Sequence, residues 1–337
     1  QQTAGFTSFN AEREQDPLDT HTGEGLVGEV FNAKNSGEFK HLMQLYAGTA
    51  AIGHVRYATS GNNDDNGETQ RTRWKKEAQP FHRPHGHVKK HFALAFNGNL
   101  ANFPELRADL ESQGDYRLSK RVDTEALAYV LAISVNHELE NAKAQNREYS
   151  LEQVLSSAAT RLDGSYSVGV LNLAGDLIAF RDPHGFMPLC WGENDQFIAF
   201  ASETNALNMI GIFEHKDIAP GEYLLIDRNK KLQRGHFAEA TPTPCFFQLM
   251  YFAKEKSKID RVGVKDFREQ IGKELARLEP LRGTLNSESW VVLPVPETAT
   301  VIGRKMAEEL GIPCSDALEK VTGIRAFIEK KEQRSSI

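Results

Sequence analysis

The residues best suited to chemistry in this sequence would grip and polarise a small zwitterion. Arg56 closes the apolar run Ala50–Tyr57, inside Gly53-His54-Val55-Arg56-Tyr57-Ala58-Thr59-Ser60-Gly61. A guanidinium fork grips a carboxylate bidentately, and a structural ion pair with an Asp or Glu is an equal reading. Asp123 opens the apolar helical pattern Asp123–Ile133, either as an N-cap or as an acceptor for a ligand ammonium. Arg56 and Asp123 together suit the two ends of an α-amino acid. Asn97–Gly98 follows the apolar run Ala93–Phe96. Asn-Gly is the leading two-residue hairpin signal, so a tight turn is predicted there. A side-chain amide beside a Gly N–H also suits an oxyanion, and a turn would fix both donors.

Other polar groups read as scaffold or solvent. His82, His85, His87 and His91 crowd one stretch with Pro84, Gly86, Lys89 and Lys90. A metal site needs a defined geometry that this strand–turn–strand pattern does not announce, so a solvated basic loop is predicted. Arg71–Lys76 reads as solvated too, and Asp64-Asp65 lies in a polar loop with no apolar strand before it. The cysteines, Cys190, Cys245 and Cys314, are far apart and odd in number. That argues against a disulfide framework and for a reducing cytoplasm.

The chain has 337 residues, with 40 Lys and Arg against 46 Asp and Glu, a formal charge of −6. The acidic balance disfavours nucleic acid and anionic lipid as partners of the whole surface. Apolar residues at 40 % and charged residues at 26 % argue against disorder, and no apolar run nears membrane-spanning length. The length suggests two domains.

Several elements must position the candidate residues. Gly25–Phe31 is β-like, Phe39–Ala47 helical, and Phe92–Phe96 a compact strand. Helical patterns follow at Pro104–Leu110, Asp123–Ile133 and Leu151–Leu162. Strand-like runs follow at Tyr166–Leu173, Leu177–Phe180, Phe197–Ala201 and Tyr223–Ile226, joined by short turns. Such a succession predicts an antiparallel α+β domain. Glu239–Pro244 reads as a linker. Beyond it, Phe246–Phe252 is strand-like, and Val264, Phe267, Ile271, Leu275 and Leu278 share a helical face. Trp290–Val295 reads as a strand buried in a parallel sheet, feeding a helix from Thr298–Ala299 that Gly311 stops. Glu297 and Thr298 would then emerge at the carboxyl end of that sheet, by a helix N-terminus suited to phosphate.

Taken in order, GLVGEVF (25–31), IGHVRYATSG (52–61), AQPF (78–81), FNGNLANFPELRADL (96–110), VDTEALAYVL (122–131), LDGSYSVGVL (162–171), FRDPHGFMPL (180–189), ASETNAL (201–207), PGEYLLID (220–227), YFAKEKSKID (251–260) and PVPETATVIGRKMAEELGIP (294–313) resemble the amidophosphoribosyltransferases. The resemblance implies an N-terminal-nucleophile αββα four-layer glutaminase domain over 1–240. The start of an α/β type I phosphoribosyltransferase domain would follow over 241–337. It implies formation of 5-phosphoribosylamine, glutamate and diphosphate from glutamine, phosphoribosylpyrophosphate and water, the committed step of purine synthesis, by a homo-oligomer. Carried over residue by residue, Arg56 would hold the glutamine carboxylate, Asp123 its ammonium, and Thr59 would line the pocket. Asn97 and Gly98 would form the oxyanion hole, Thr298 would help hold Mg²⁺, and Cys245 falls where some members place an iron–sulfur ligand.

The sequence departs from the family pattern at several points. The nucleophilic Cys-Gly opening is missing, and Gln1 stands where a later His-Arg-Gly-Gln word of the family ends. The acidic phosphoribosylpyrophosphate loop would follow Ile337. Phe186-Met187 replaces a usual Ile-Arg, and Gln248 a usual Glu. A fragment of an enzyme, inactive alone, is the simplest expectation. The alternative is a non-catalytic glutamine-binding regulatory paralogue; glucosamine-phosphate or asparagine synthetase types would not continue into PVPET.

Overall fold

The computed structural model describes residues 2–14, 16–56, 74, 76–112, 118–119 and 122–320. Two compact units are present, Gln1–Ser202 with Ala206–Cys245, and Glu203–Asn205 with Phe246–Ile337.

The first unit opens with strands β1 (Thr3–Phe9) and β2 (Leu18–Glu24), helices α1 (Val27–Val30) and α2 (Ser36–Leu45), and strand β3 (Ala50–Arg56). Then come β4 (Phe81–Arg83), β5 (Phe92–Leu100), α3 (Phe103–Ser112), α4 (Asp123–Ala144), α5 (Leu151–Ala159), β6 (Gly164–Asn172) and β7 (Leu177–Arg181). The last elements are β8 (Cys190–Glu193), β9 (Ile198–Ala201), α6 (Thr204–Met209), β10 (His215–Asp217), β11 (Glu222–Ile226) and β12 (Leu232–His236).

Six strands form one antiparallel sheet in the order β12-β11-β7-β6-β5-β4, and two three-stranded sheets, β2-β1-β3 and β10-β8-β9, complete the first unit's strands. Alternation along β5 and β6 sorts the two faces. Phe92, Leu94, Phe96, Tyr166, Val168 and Val170 pack against α4 and α5. Ala93 and Leu171 turn the other way, onto Phe9, Leu18 and Ile52 of the β2-β1-β3 sheet. Ala179, Leu224 and Ile226 likewise meet Leu189 and Trp191. At Gly169 a Cβ would lie 2.8 Å from the Phe200 ring, so the sheets touch there through bare backbone. Helix α4 is apolar nearly all round from Thr124 to Val135, as a helix buried in a layer must be. Layers of helix, sheet, sheet and helix result.

The word Arg181-Asp182-Pro183-His184-Gly185 serves this scaffold. Arg181 is fully buried and donates to the carbonyls of Met187, Gly185 and Ile218. The Asp182 carboxylate accepts from the backbone N–H groups of Tyr166, His184, Phe186 and Met187.

In the second unit, helices α7 (Val264–Leu278) and α8 (Ala299–Leu310) pack so closely that a Cβ on Gly272 would lie 2.5 Å from the Ile302 carbonyl. Gly311, at φ 69°, ends α8 in the left-handed conformation, as predicted.

Several expectations fail, each for a physical reason. Strand β1 carries a weak apolar signal because its buried positions include Thr3, Thr7 and Ser8, and β2 carries a weak one because it buries only Leu18. Gly25–Phe31 is helical over Val27–Val30, with the Glu29 carboxylate accepting from Leu26 N–H. Phe246–Phe252 contains a π-helical turn, Gln248–Phe252, rather than a strand. Trp290–Val295 forms no strand: its β-pairing is a single parallel bridge, Val292 to Cys314, and although Val292 and Pro294 pack at Gly303 of α8, Trp290, Val291, Leu293 and Val295 are exposed. Glu297 and Thr298 therefore do not stand at the end of a buried strand among the described residues. Glu239–Pro244 is partly pinned, because Thr241 and Thr243 N–H donate to the Pro183 and His184 carbonyls.

Candidate functional site

Strand β5 runs straight through Asn97–Gly98, with Asn97 opposite Ser167 and Gly98 opposite Tyr166. The hairpin expectation is therefore wrong. Glycine is required at 98 by close approach instead, since a Cβ would lie 2.0 Å from the Ser165 carbonyl oxygen.

The direction of the β5 amides follows from their partners. His91 C=O accepts from Leu173 N–H and Ala101 N–H donates to Asp163 C=O, so odd-numbered residues face β6. Even-numbered ones face the opposite edge. There Phe96 N–H donates to Gln79 Oε1 at 2.7 Å and Leu100 N–H donates to Asp123 Oδ2 at 3.2 Å. Gly98 N–H lies between them on the same edge, past the β4 pairing that reaches Leu94. By alternation the Asn97 side chain leaves the sheet on the face opposite α4, toward the β2-β1-β3 layer.

Arg56 ends β3, whose register against β1 pairs it with Thr3. Its Nη2 lies 2.8 Å from Glu77 Oε2, and both side chains are largely covered. Nη1 is buried and has no hydrogen-bond partner among the described residues. The ion-pair reading of Arg56 is thus met through Nη2.

Asp123 is the first residue of α4, whose cap is Val122 without a side-chain bond, so Asp123 is not the N-cap. Its carboxylate reaches across to β5. Burial raises its pKa, while the N–H groups of Leu100 and Thr124 and the Arg56 charge act to lower it. Nearby His54 is held neutral: burial lowers its pKa to about 4, helped by the repulsion of Arg56 and opposed by a bond to the Phe96 backbone.

Gln79, Glu77 and His54 were not singled out from the sequence. Gln79 is buried and joins Phe96 N–H to the Thr124 hydroxyl, tying the β5 edge to the start of α4. A Gln before Pro80 has no periodicity to betray that role. Thr59 lies outside the described residues, as do Arg71–Arg73, Lys75 and Asp64-Asp65.

Thr298 precedes α8 and makes no capping bond through its side chain. The carboxylate beside it, Glu297, is exposed and lies 3.8 Å from Lys320 Nζ. Among the described residues no group of three acidic, His or Cys side chains gathers at Thr298. These residues alone do not fit a Mg²⁺ site, which takes several oxygens. For an iron–sulfur cluster, which takes four cysteines, the chain has three, and Cys190 is buried with its thiol donating to Ala201 C=O. Cys245 is therefore no cluster site by itself.

Residues 69–209 match the family model described as a glutamine amidotransferase domain. The amidophosphoribosyltransferase of Methanothermobacter thermautotrophicus is 32 % identical over 320 residues, covering 95 % of this chain and 59 % of that protein. The Escherichia coli amidophosphoribosyltransferase is 33 % identical over 323 residues, covering 92 % and 58 %. This chain is similar to the amidophosphoribosyltransferases. It spans somewhat over half the length of these curated relatives. Among solved structures, the glutamine phosphoribosylpyrophosphate amidotransferase from B. subtilis, complexed with ADP and GMP, superposes with a TM-score of 0.75 at 27 % identity. That match covers 100 % of this chain and 64 % of the other. The fold is thus the four-layer glutaminase of the amidophosphoribosyltransferases, followed by phosphoribosyltransferase-like chain. No helix among the described residues is long and apolar enough to cross a membrane.

Proposed function

We propose that this chain is the glutamine-using part of an amidophosphoribosyltransferase, with residues 1–240 as the amidotransferase domain and 241–337 as the beginning of the phosphoribosyltransferase domain. The observation that carries the reading is the vacant, buried Nη1 of Arg56 in electrostatic contact with Asp123, which ends the same β5 edge as Gly98 N–H. A buried guanidinium arm without an acceptor is costly unless a ligand supplies one.

In this reading the glutamine α-carboxylate bonds the free arm of Arg56 and its ammonium bonds Asp123, with Thr59 beside them. The side-chain amide carbonyl then lies against Asn97 and Gly98, whose N–H donors would stabilise the oxyanion formed on attack by the N-terminal cysteine thiolate that the resemblance implies and the given sequence does not contain. Collapse expels ammonia, and water hydrolyses the thioester to glutamate. Cys190, Cys245 and Cys314 all sit inside the chain and have no free α-amine, so none is the nucleophile. The ammonia would displace diphosphate from phosphoribosylpyrophosphate to give 5-phosphoribosylamine. The same reading takes the protein as a cytoplasmic homo-oligomer. The regulatory-paralogue alternative draws only on Met187 and Gln248, and Met187 lends its backbone to the Arg181–Asp182 scaffold.

Calorimetric titration with glutamine, and with analogues lacking the α-carboxylate or the α-amine, tests the pocket. Binding should need both groups and weaken at least tenfold in Arg56→Gln. Equal binding of the analogues, or none of glutamine, overturns the reading.

A further inference from the structure

His82 and His91 do not lie in a solvated loop. His82 sits on β4, opposite Ala93, and His91 is buried just before β5. His85 and His87, on the connecting turn, are exposed as expected. The Nε2 atoms of His82 and His91 are 2.9 Å apart, and Asp16 Oδ2 lies 3.3 Å from His91 Nε2. Asp16 comes from the connection before β2, so the chain brings a carboxylate to a pair of imidazoles from a distant stretch of sequence.

We propose that Asp16, His82 and His91 form a binding site for one divalent transition-metal ion of the zinc type. Their ligand atoms all lie within 4.8 Å of one another. Two imidazoles and a carboxylate are the protein donors of many three-ligand zinc sites, which leave one position open. Nitrogen donors select against Mg²⁺ and Ca²⁺, which take oxygen. Zn–N bonds of about 2.0–2.1 Å in tetrahedral geometry set two nitrogens about 3.3 Å apart. The rings need to part by only a few tenths of an ångström.

The Asp16 carboxylate is oriented by a second bond, and the two histidines are placed by their backbones. Asp16 Oδ1 accepts from Leu18 N–H, which leaves Oδ2 toward the rings. His91 N–H donates to His87 C=O, and its own carbonyl accepts from Leu173 N–H. His82 is fixed by the β4–β5 pairing. The Asp16 side chain is 37 % exposed, so an ion can enter from that side. Along β5 the site is about 20 Å from Gly98, at the rise of a strand per residue. It is separate from the proposed glutamine pocket.

Without metal, the short contact between the rings needs one Nε2–H as donor. Metal binding requires both Nε2 lone pairs, so that proton moves to Nδ1 of its ring or to solvent. No redox step is involved.

Titration of the purified protein with Co²⁺, followed by visible absorption, and with Zn²⁺ by calorimetry, tests the site. One equivalent should bind, and His82→Gln should weaken it more than about 100-fold, beyond the range of a merely supporting residue. Asp16→Asn, at a partly exposed position, should weaken it at least tenfold and abolish any rise in Tm caused by Zn²⁺. The double variant His85→Gln/His87→Gln should bind as the parent does. Three results each overturn the proposal: no stoichiometric binding, a thiolate-to-cobalt charge-transfer band, or affinity lost with His85 and His87 but kept without His82. An unchanged hydrogen-bonded His–His–Asp cluster would then be the sole role of these residues.

Discussion

Among the described residues Arg56 holds Glu77 with one arm: Nη2 lies 2.8 Å from Oε2, while Nη1 is buried without a partner. Glu77 thereby aims the guanidinium without saturating it. Lysine keeps the charge but has no second arm in a fixed plane. Arg56→Lys should weaken glutamine binding at least tenfold, and Glu77→Gln should weaken it less, by loosening Arg56. Calorimetry on both variants checks the order. A larger effect from Glu77→Gln would mean that Glu77 itself meets the ligand.

Gly98→Ala should be among the most damaging substitutions in β5. The added methyl would meet the Ser165 carbonyl at 2.0 Å, and backbone cannot step aside as a flexible side chain can. Overpacking of this kind costs about 1–3 kcal/mol or more. A urea melt should show the loss. Stability equal to the parent would mean that the β5–β6 register relaxes at this point.

Gln79 is buried and satisfies Phe96 N–H as acceptor while donating to the Thr124 hydroxyl. Gln79→Leu strands that N–H and should cost about 1–3 kcal/mol. Gln79→Glu retains the acceptor and should cost less at low pH, where the acid is protonated and can still donate. Comparing urea midpoints of both variants at pH 5 and pH 7 checks this.

Two buried groups near Arg56 give opposite pH slopes. His54 has a folded pKa lowered from 6.5 to about 4 by burial. Between those values the unfolded chain binds the proton more readily, so His54 withdraws stability as pH falls from 6.5 toward 4. Asp123 has a raised folded pKa, again chiefly through burial. Its native form holds the proton more tightly, so it withdraws stability as pH rises from the ordinary carboxylate range through that raised value. His54→Gln should flatten the loss of urea stability below pH 6.5. Asp123→Asn should raise stability at pH 7 while weakening glutamine binding, the trade expected of a residue kept for its ligand. Circular-dichroism melts across pH 4–7, beside calorimetry at pH 7, separate the two effects.

Much of the secondary structure is written in local pattern. Helices α4 and α7 declare themselves through apolar residues at helical spacing, and β6 and β7 through short apolar runs between turns. Gly311 ends α8 because only glycine takes φ 69° without strain. Residue chemistry also picked out Arg56 and Asp123, since a guanidinium at a strand end and a carboxylate at a helix start are conspicuous anywhere. Tertiary contact decided the rest. Asn97–Gly98 has the composition of a turn, yet the long partner β6 draws it into a strand, where its glycine is needed for closeness rather than for curvature. Trp290–Val295 has the composition of a buried strand, yet composition cannot pair a strand, and a lone bridge to Cys314 leaves it exposed. Gln79 shows its purpose only where β5 and α4 meet around it. Asp16 reaches His82 and His91 only because the connection into β2 comes down beside β4 and β5. No spacing along the chain encodes that meeting, because the distance between such side chains is set by how the sheets stack.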